Sequence, residues 1–222
     1  SMDARLVKNH VGRFTHRVSL ESTRGVKARL VRPGGRRKIA ASESEEMTSV
    51  EFTIVLDPTQ PGATSTFTVV VHSEWAPLGA KRFLDLIDAK YYDDARIYRV
   101  IPGFIAQWGV PADPKEWPKW GDNKIKDDPV KTSNTAGTMS FATSGPDCRG
   151  SQVFINYEDS CSQLDDQGFA PFGKLTPGGL EVAKKFCEMP RGPDQAKAKQ
   201  QGNAYFTTAY PQLSYIKSAK RV

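Results

Sequence analysis

The chain has 222 residues, 38% of them hydrophobic and 25% charged, with 31 Lys/Arg against 25 Asp/Glu. That is ordinary for a globular protein and long enough for one domain with a large core plus an appendage. No apolar run approaches the roughly 20 residues of a membrane-spanning helix, and no signal-peptide core opens the chain, which argues against a membrane span.

The positive excess is confined to the start: residues 1–50 hold 11 Lys/Arg and 5 Asp/Glu, and the remaining 172 hold 20 of each. Residues 1–48 therefore read as a basic extension and linker, ending in ASESEE (41–46), ahead of a single domain over 49–222. The extension is either simply solvated or a contact for an acidic or anionic partner. No interleaving of aromatic and basic residues points to nucleic acid. Its stretch RVSLESTRGVKARLVRPGGRRK leaves a strand pair or a short helix open, ended by Pro33-Gly34-Gly35. Ser1-Met2 resembles an expression remnant, so a targeting segment removed upstream stays open.

VEFTIVL (50–56) and TFTVVVH (66–72) are rich in β-branched and aromatic residues around the turn DPTQPGATS, and predict a hairpin. Pro77 then opens a helical pattern in which Ala80, Phe83, Leu84 and Ile87 form one apolar stripe. IYRVI and FIAQWG predict short strands split by Pro102-Gly103, and the proline-rich segment 110–136 reads as an irregular loop. GTMSFAT (137–143), SQVFINY (151–157) and GFAPFGKL (168–175) predict three more strands, and GGLEVAKKFC (178–187) a second short helix. A basic, Gln-rich loop is expected over 191–203, with a last strand near Leu213–Ile216. Many short strands with two helices favour an antiparallel barrel or sandwich.

Most catalytic toolkits are missing. The histidines are His10, His16 and His72, and no nucleophile elbow, zinc-protease His pair or phosphate loop occurs. Cys148, Cys161 and Cys187 are too few and too far apart for a zinc set; one bridge stays open, but the odd number favours free thiols and a reducing compartment. The Asp pairs at 93–94, 127–128 and 165–166 lie in turn-like contexts where such residues bind backbone amides.

Against that background RVIPGFIAQWG (99–109) stands out, because an arginine among apolar residues is costly unless its charge or donors are used. A structural arginine paired with a carboxylate is one reading. The other is a reaction that needs a donor but no proton transfer and no metal. Prolyl cis/trans isomerisation is such a reaction: its barrier of about 20 kcal/mol comes from amide resonance, which a donor aimed at the prolyl nitrogen weakens. Arginine donates and never acts as a base.

RVIPGFIAQWG, GTMSFATSGPDCRGSQVFIN and LDDQGFAPFGKL, in that order and with PLGAKRFLDL before them, resemble the sequence blocks of cyclophilins, the peptidyl-prolyl isomerases. The resemblance runs from about Val50 to about Lys217. It implies a mainly β fold, an eight-stranded antiparallel barrel capped by two α-helices, with the active groove on its outer face. It implies isomerase activity without cofactor or metal, with proline-containing peptides or proteins as partners; a monomer with no membrane span is expected, and no nucleic-acid partner. By the same resemblance Arg99 is the catalytic guanidinium, supported by Gln107, and Phe104 and Phe154 form the proline pocket with Ile105 and Leu164. Gln152 binds the substrate backbone, which Ala142, Thr143 and Ser144 flank. The segment 110–136 and the C-terminal tail further resemble a subgroup best known from bacteria, in which this loop can shape a secondary pocket beside the groove.

The chain departs from the pattern at two positions that matter. Phe169 falls near the position usually held by histidine, and Gln163 replaces the tryptophan of members that bind cyclosporin tightly. The expectation is an active isomerase with weak cyclosporin affinity, intracellular unless a targeting segment preceded the chain. Two alternatives stay open: a proline-peptide binding module with little turnover, and a scaffold recruited through the basic extension.

Overall fold

Alternation of side chains along each strand sets the inner layer. The computed structural model describes residues 47–222, so all but the last two residues of the basic extension, the elements proposed within it and the linker lie outside the described residues. In β1 (Ser49–Val55) the residues Val50, Phe52 and Ile54 are fully buried, and in its antiparallel partner β2 (Thr64–Val71) so are Val69 and, almost fully, Phe67 and Val71. The rest of the sheet is β3 (Arg99–Ile101), β4 (Ile105–Trp108), β5 (Thr138–Phe141), β6 (Val153–Asn156), β7 (Pro171–Leu175) and β8 (Tyr215–Arg221). Among the described residues these eight strands form one sheet in the order β3-β4-β6-β5-β7-β2-β1-β8. The sheet curls until its ends meet: Arg96, just before β3, pairs with Tyr215 at the start of β8, and the Arg96 guanidinium lies 4.2 Å from the Tyr215 ring centroid.

The core inside the curl is aromatic. Phe52 stacks on Phe67 at 4.9 Å, and Phe83 meets Phe172 at 4.8 Å. Phe83 comes from α1 (Pro77–Asp88), which buries Ala80, Phe83, Leu86 and Ile87 and leaves Leu84 only partly covered. The first free amides of α1 are met from a distant loop, since Leu78 N and Gly79 N donate to the buried Asp128 carboxylate at 3.1 and 2.8 Å. Arg149 pairs with the same carboxylate at 3.0 Å. The other Asp pairs also hold backbone amides: Asp93 accepts from Ala219 N and Asp165 from Asn134 N.

Two segments read as loops contain helix. Segment 110–136 holds a single 3-10 turn (Pro114–Glu116) followed by the short α2 (Trp117–Trp120). After α3 (Gly179–Ala183), at the place of the second expected helix, the Gln-rich segment forms α4 (Gln195–Gln201) and runs straight into α5 (Asn203–Ala209). The sequence signal for α4 is weak because only Ala198 on it is buried, so no apolar stripe shows. What starts it is Asp194, whose carboxylate accepts from Ala196 N and Lys197 N. Gly202 makes the corner between α4 and α5 at φ 54°, where a Cβ would stand 2.3 Å from the Ala112 carbonyl oxygen. The last strand lies a little beyond its expected place, and Leu213 and Ser214 ahead of it are buried instead.

Candidate active groove

The same alternation that fills the core lays out the opposite face. Val100, Ala106 and Ile155 stand in one register row across β3, β4 and β6 and point into the core. The neighbouring row, Arg99 opposite Gln107 opposite Phe154, therefore points outward. With strands roughly 4.8 Å apart, these three side chains stand side by side on the outer surface. The tight Pro102-Gly103 turn, with Gly103 at φ 70°, joins β3 to β4 and keeps this pairing in register.

One network links the polar part of the row. Arg99 Nη1 donates to Gln107 Oε1 at 3.1 Å. Gln107 Nε2 donates to Gln152 Oε1 at 2.9 Å and to the Tyr98 hydroxyl at 3.2 Å. The Tyr98 hydroxyl in turn donates to Gln152 Oε1. Burial holds the Tyr98 phenol well above the usual tyrosine range, against the pull of its Gln107 hydrogen bond, so it remains a donor. Arg99 is half-buried, leaving its remaining N–H groups available at the surface.

Beside the network lies an apolar basin separate from the main core. Ile105, Phe154, Cys161 and Leu164 are buried together, with Phe104, Ala142 and Phe169 packed around them. Phe169 meets Phe154 edge-on at 5.6 Å. Leu164 and Phe169 come from the 3-10 helix Asp159–Gln167 and the turn after it, which Gly168 makes at φ 82°. That turn is anchored through Asn134, whose Nδ2 donates to the Phe169 carbonyl at 2.7 Å and to Asp165 at 2.7 Å. Asp165 also accepts from Ser133 Oγ at 2.5 Å.

Of the eleven residues proposed from the sequence, Phe104, Ile105, Ala142, Phe154, Leu164 and Phe169 form the basin. Arg99, Gln107 and Gln152 form the adjoining network. Thr143 and Ser144 stand apart from the basin; they line a cleft on the other side of Gln107 and Gln152. The Thr143 hydroxyl is engaged locally, with the Gly145 carbonyl at 2.5 Å. Gln163 is exposed on the 3-10 helix. Tyr98, Asn134 and Asp165 were not anticipated as site residues. Tyr98 carried a faint signal as the neighbour of Arg99, whereas Asn134 and Asp165 carried none, since each acts on a residue distant in sequence.

Among the described residues the arrangement sets a permanent cation, with donors beyond the one given to Gln107, beside an aromatic basin, and no carboxylate or imidazole among them. Among the described residues no group of three or more His, Cys, Asp or Glu is placed to hold a metal, and no described helix is long and apolar enough to cross a membrane.

Comparison with known proteins places these features in context. The family model described as cyclophilin type peptidyl-prolyl cis-trans isomerase/CLD matches residues 59–203. A peptidyl-prolyl cis-trans isomerase-like 3 of Gibberella zeae is 35% identical over 138 residues, which cover 53% of this chain and 80% of that protein. A peptidyl-prolyl cis-trans isomerase A of Dickeya dadantii is 37% identical over 126 residues, covering 51% of this chain and 62% of that one. The crystal structure of a cyclophilin-type isomerase from Cryptosporidium parvum superposes with a TM-score of 0.55 at 23% identity, covering 79% of this chain and 98% of that one, and bears on the fold.

Proposed function

Because the chain belongs to the cyclophilin-type peptidyl-prolyl cis-trans isomerase family, we propose that its outer groove catalyses rotation about X-Pro peptide bonds and so assists the folding of proline-containing proteins. The observation that carries this is the register row Arg99–Gln107–Phe154, which sets a guanidinium next to an aromatic basin. The basin formed by Phe104, Ile105, Phe154, Leu164 and Phe169 seats the proline ring by burying its apolar surface. Arg99, oriented by Gln107, donates toward the prolyl nitrogen as its lone pair leaves conjugation in the twisted amide. Held in place before the reaction, that donor stabilises the twisted state without reorganising. Gln152 and the backbone at Ala142–Ser144 hold the flanking chain so that rotation is confined to one bond.

Weak affinity for cyclosporin belongs to the same proposal. It is supported by Gln163, whose exposed amide offers neither the apolar wall nor the indole donor of a tryptophan. An intracellular, reducing setting is supported by the three cysteines, which are unpaired.

Proton-exchange NMR on an Ala-Pro peptide tests the reading. The wild-type chain is expected to broaden or exchange the cis and trans signals, and Arg99→Ala to lower kcat/KM by about a hundredfold. Arg99→Lys, which keeps the charge but loses the planar fork, should recover only part of that loss. Equal turnover by wild type and Arg99→Ala would remove Arg99 from its role. Peptide binding with no turnover would instead favour a proline-peptide binding module, for which Phe169 at a usual histidine position is the supporting feature. An inhibition constant for cyclosporin below roughly 100 nM would overturn the cyclosporin part alone.

A further inference from the structure

The cleft beyond Gln107 and Gln152 has a volume of about 230 Å³ and a basic far wall. That wall is built by the two segments whose helices the sequence did not show. Trp117, from α2, lies at the back, and Lys199 from α4 places its Nζ 4.7 Å from the indole ring centroid. Lys124, from the loop after α2, places its Nζ 5.7 Å from the same ring. Gln195, one turn before Lys199 on α4, adds an amide. The ring is fixed by its own hydrogen bond, Nε1 donating to Asp122 Oδ1 at 2.8 Å.

Two ammonium groups therefore share one indole. Among the described residues neither has a carboxylate within 4.0 Å. Lys124 Nζ donates to the Gly121 carbonyl, which satisfies one proton but no charge. Partial burial and the charge of Lys124 hold the Lys199 ammonium below the usual lysine range, with Asp122 pulling weakly the other way. An anion entering the cleft would relieve that repulsion in a partly desolvated setting, where charge-assisted hydrogen bonds are strong.

The cleft communicates with the groove because Gln107, Ala142 and Gln152 border both. A peptide with its proline in the basin and its chain along Ala142–Ser144 can turn one flanking side chain into the cleft. We propose that the cleft selects substrates bearing an Asp or Glu near the X-Pro pair, with Lys124 and Lys199 as the residues that read it. This rests on the groove being the X-Pro site.

Peptides with an Ala-Pro core and Glu, Gln or Lys at each flanking position in turn test it, with kcat/KM read by exchange NMR and Kd by titration of the same samples. At one position Glu is expected to exceed Gln by about five- to tenfold, with Lys below Gln, and the ratio should shrink in about 0.5 M salt. Lys124→Gln/Lys199→Gln should bring the Glu-to-Gln ratio to one. Lys199→Glu, which leaves the Lys124 contact to Gly121 in place, should invert the preference toward the Lys peptide. Glu, Gln and Lys peptides within twofold of one another at every position, or a ratio that survives in the double variant, would overturn the proposal. Absence of turnover on the Gln peptide would count against the isomerase reading instead; the charge preference is then read from Kd, and equal Kd values for Glu and Gln peptides would overturn it independently.

Discussion

Tyr98→Phe probes how the C-terminal helices reach the groove. Tyr98 is fully buried among Val110, Trp117, Ala198, Phe206 and Leu213, and its ring stacks on Phe206 of α5 at 6.0 Å and 15°. Phenylalanine keeps that packing and deletes only the hydroxyl, so no cavity opens. Lost are the bond donated to Gln152 and the one accepted from Gln107 at 3.2 Å. Buried Gln107 keeps its Gln152 bond at 2.9 Å, but its second amide proton is left without an acceptor. At about 1 kcal/mol for each lost bond, partly recovered by rearrangement, the expected destabilisation is about 1–2 kcal/mol. In thermal denaturation that corresponds to a fall in Tm of roughly 4 °C for a domain of this size. The effect on catalysis comes through orientation: Gln107 is the partner of Arg99 at 3.1 Å, and losing about 1 kcal/mol of that alignment lowers kcat/KM by roughly fivefold. Exchange NMR on the Ala-Pro peptide measures it. In an Arg99→Ala background the fivefold effect should vanish, since positioning has nothing left to position. If kcat/KM of Tyr98→Phe stays within twofold of wild type while Tm falls, Tyr98 is only a packing residue and the reasoning fails.

Two further outcomes follow from the structure. Gly202→Ala forces a side chain into a left-handed corner and against the Ala112 carbonyl, so urea denaturation should show a loss of about 2 kcal/mol or more; an unchanged midpoint would mean the corner relaxes freely. Burial pushes the Asp165 carboxyl up, but its hydrogen bonds from Ser133 and Asn134 outweigh this and hold it below the usual carboxylate range. Its stabilisation is therefore present above the unfolded value of about 3.9 and is lost as pH falls through the lower folded value, so Asp165→Asn should cost about 1 kcal/mol at pH 7 and progressively less toward pH 3, with a stability gap that is flat across that range counting against the assignment.

The strands were legible where one face is buried. Val50, Phe52 and Ile54 alternate with polar residues, and that period of two is written locally. The groove was legible for the same reason. Arg99, Phe104 and Gln107 lie within nine residues, and the short connection Pro102-Gly103-Phe104 pairs Arg99 with Gln107. The α4 helix was not legible, because its start depends on one capping aspartate and its packing on a single alanine. Tyr98 was hidden by its position, for nothing in the neighbourhood of residue 98 tells that Phe206, over a hundred residues on, holds its ring.

This division bears on what the resemblance to relatives can carry. A register row is set by adjacent strands and their turn, so residues such as Arg99, Gln107 and Phe154 transfer with the sheet. The cleft wall has no such template: Lys124 and Lys199 line the same cleft because each reaches the Trp117 ring, and each sits on a segment of its own length and composition. A substitution at Lys124 or Lys199 therefore alters the charge beside the groove without removing a hydrogen bond of the row. Chemistry held by the sheet and selection held by the loops can vary independently, which is why the basic wall, rather than the arginine, is where this chain should differ in its choice of substrate.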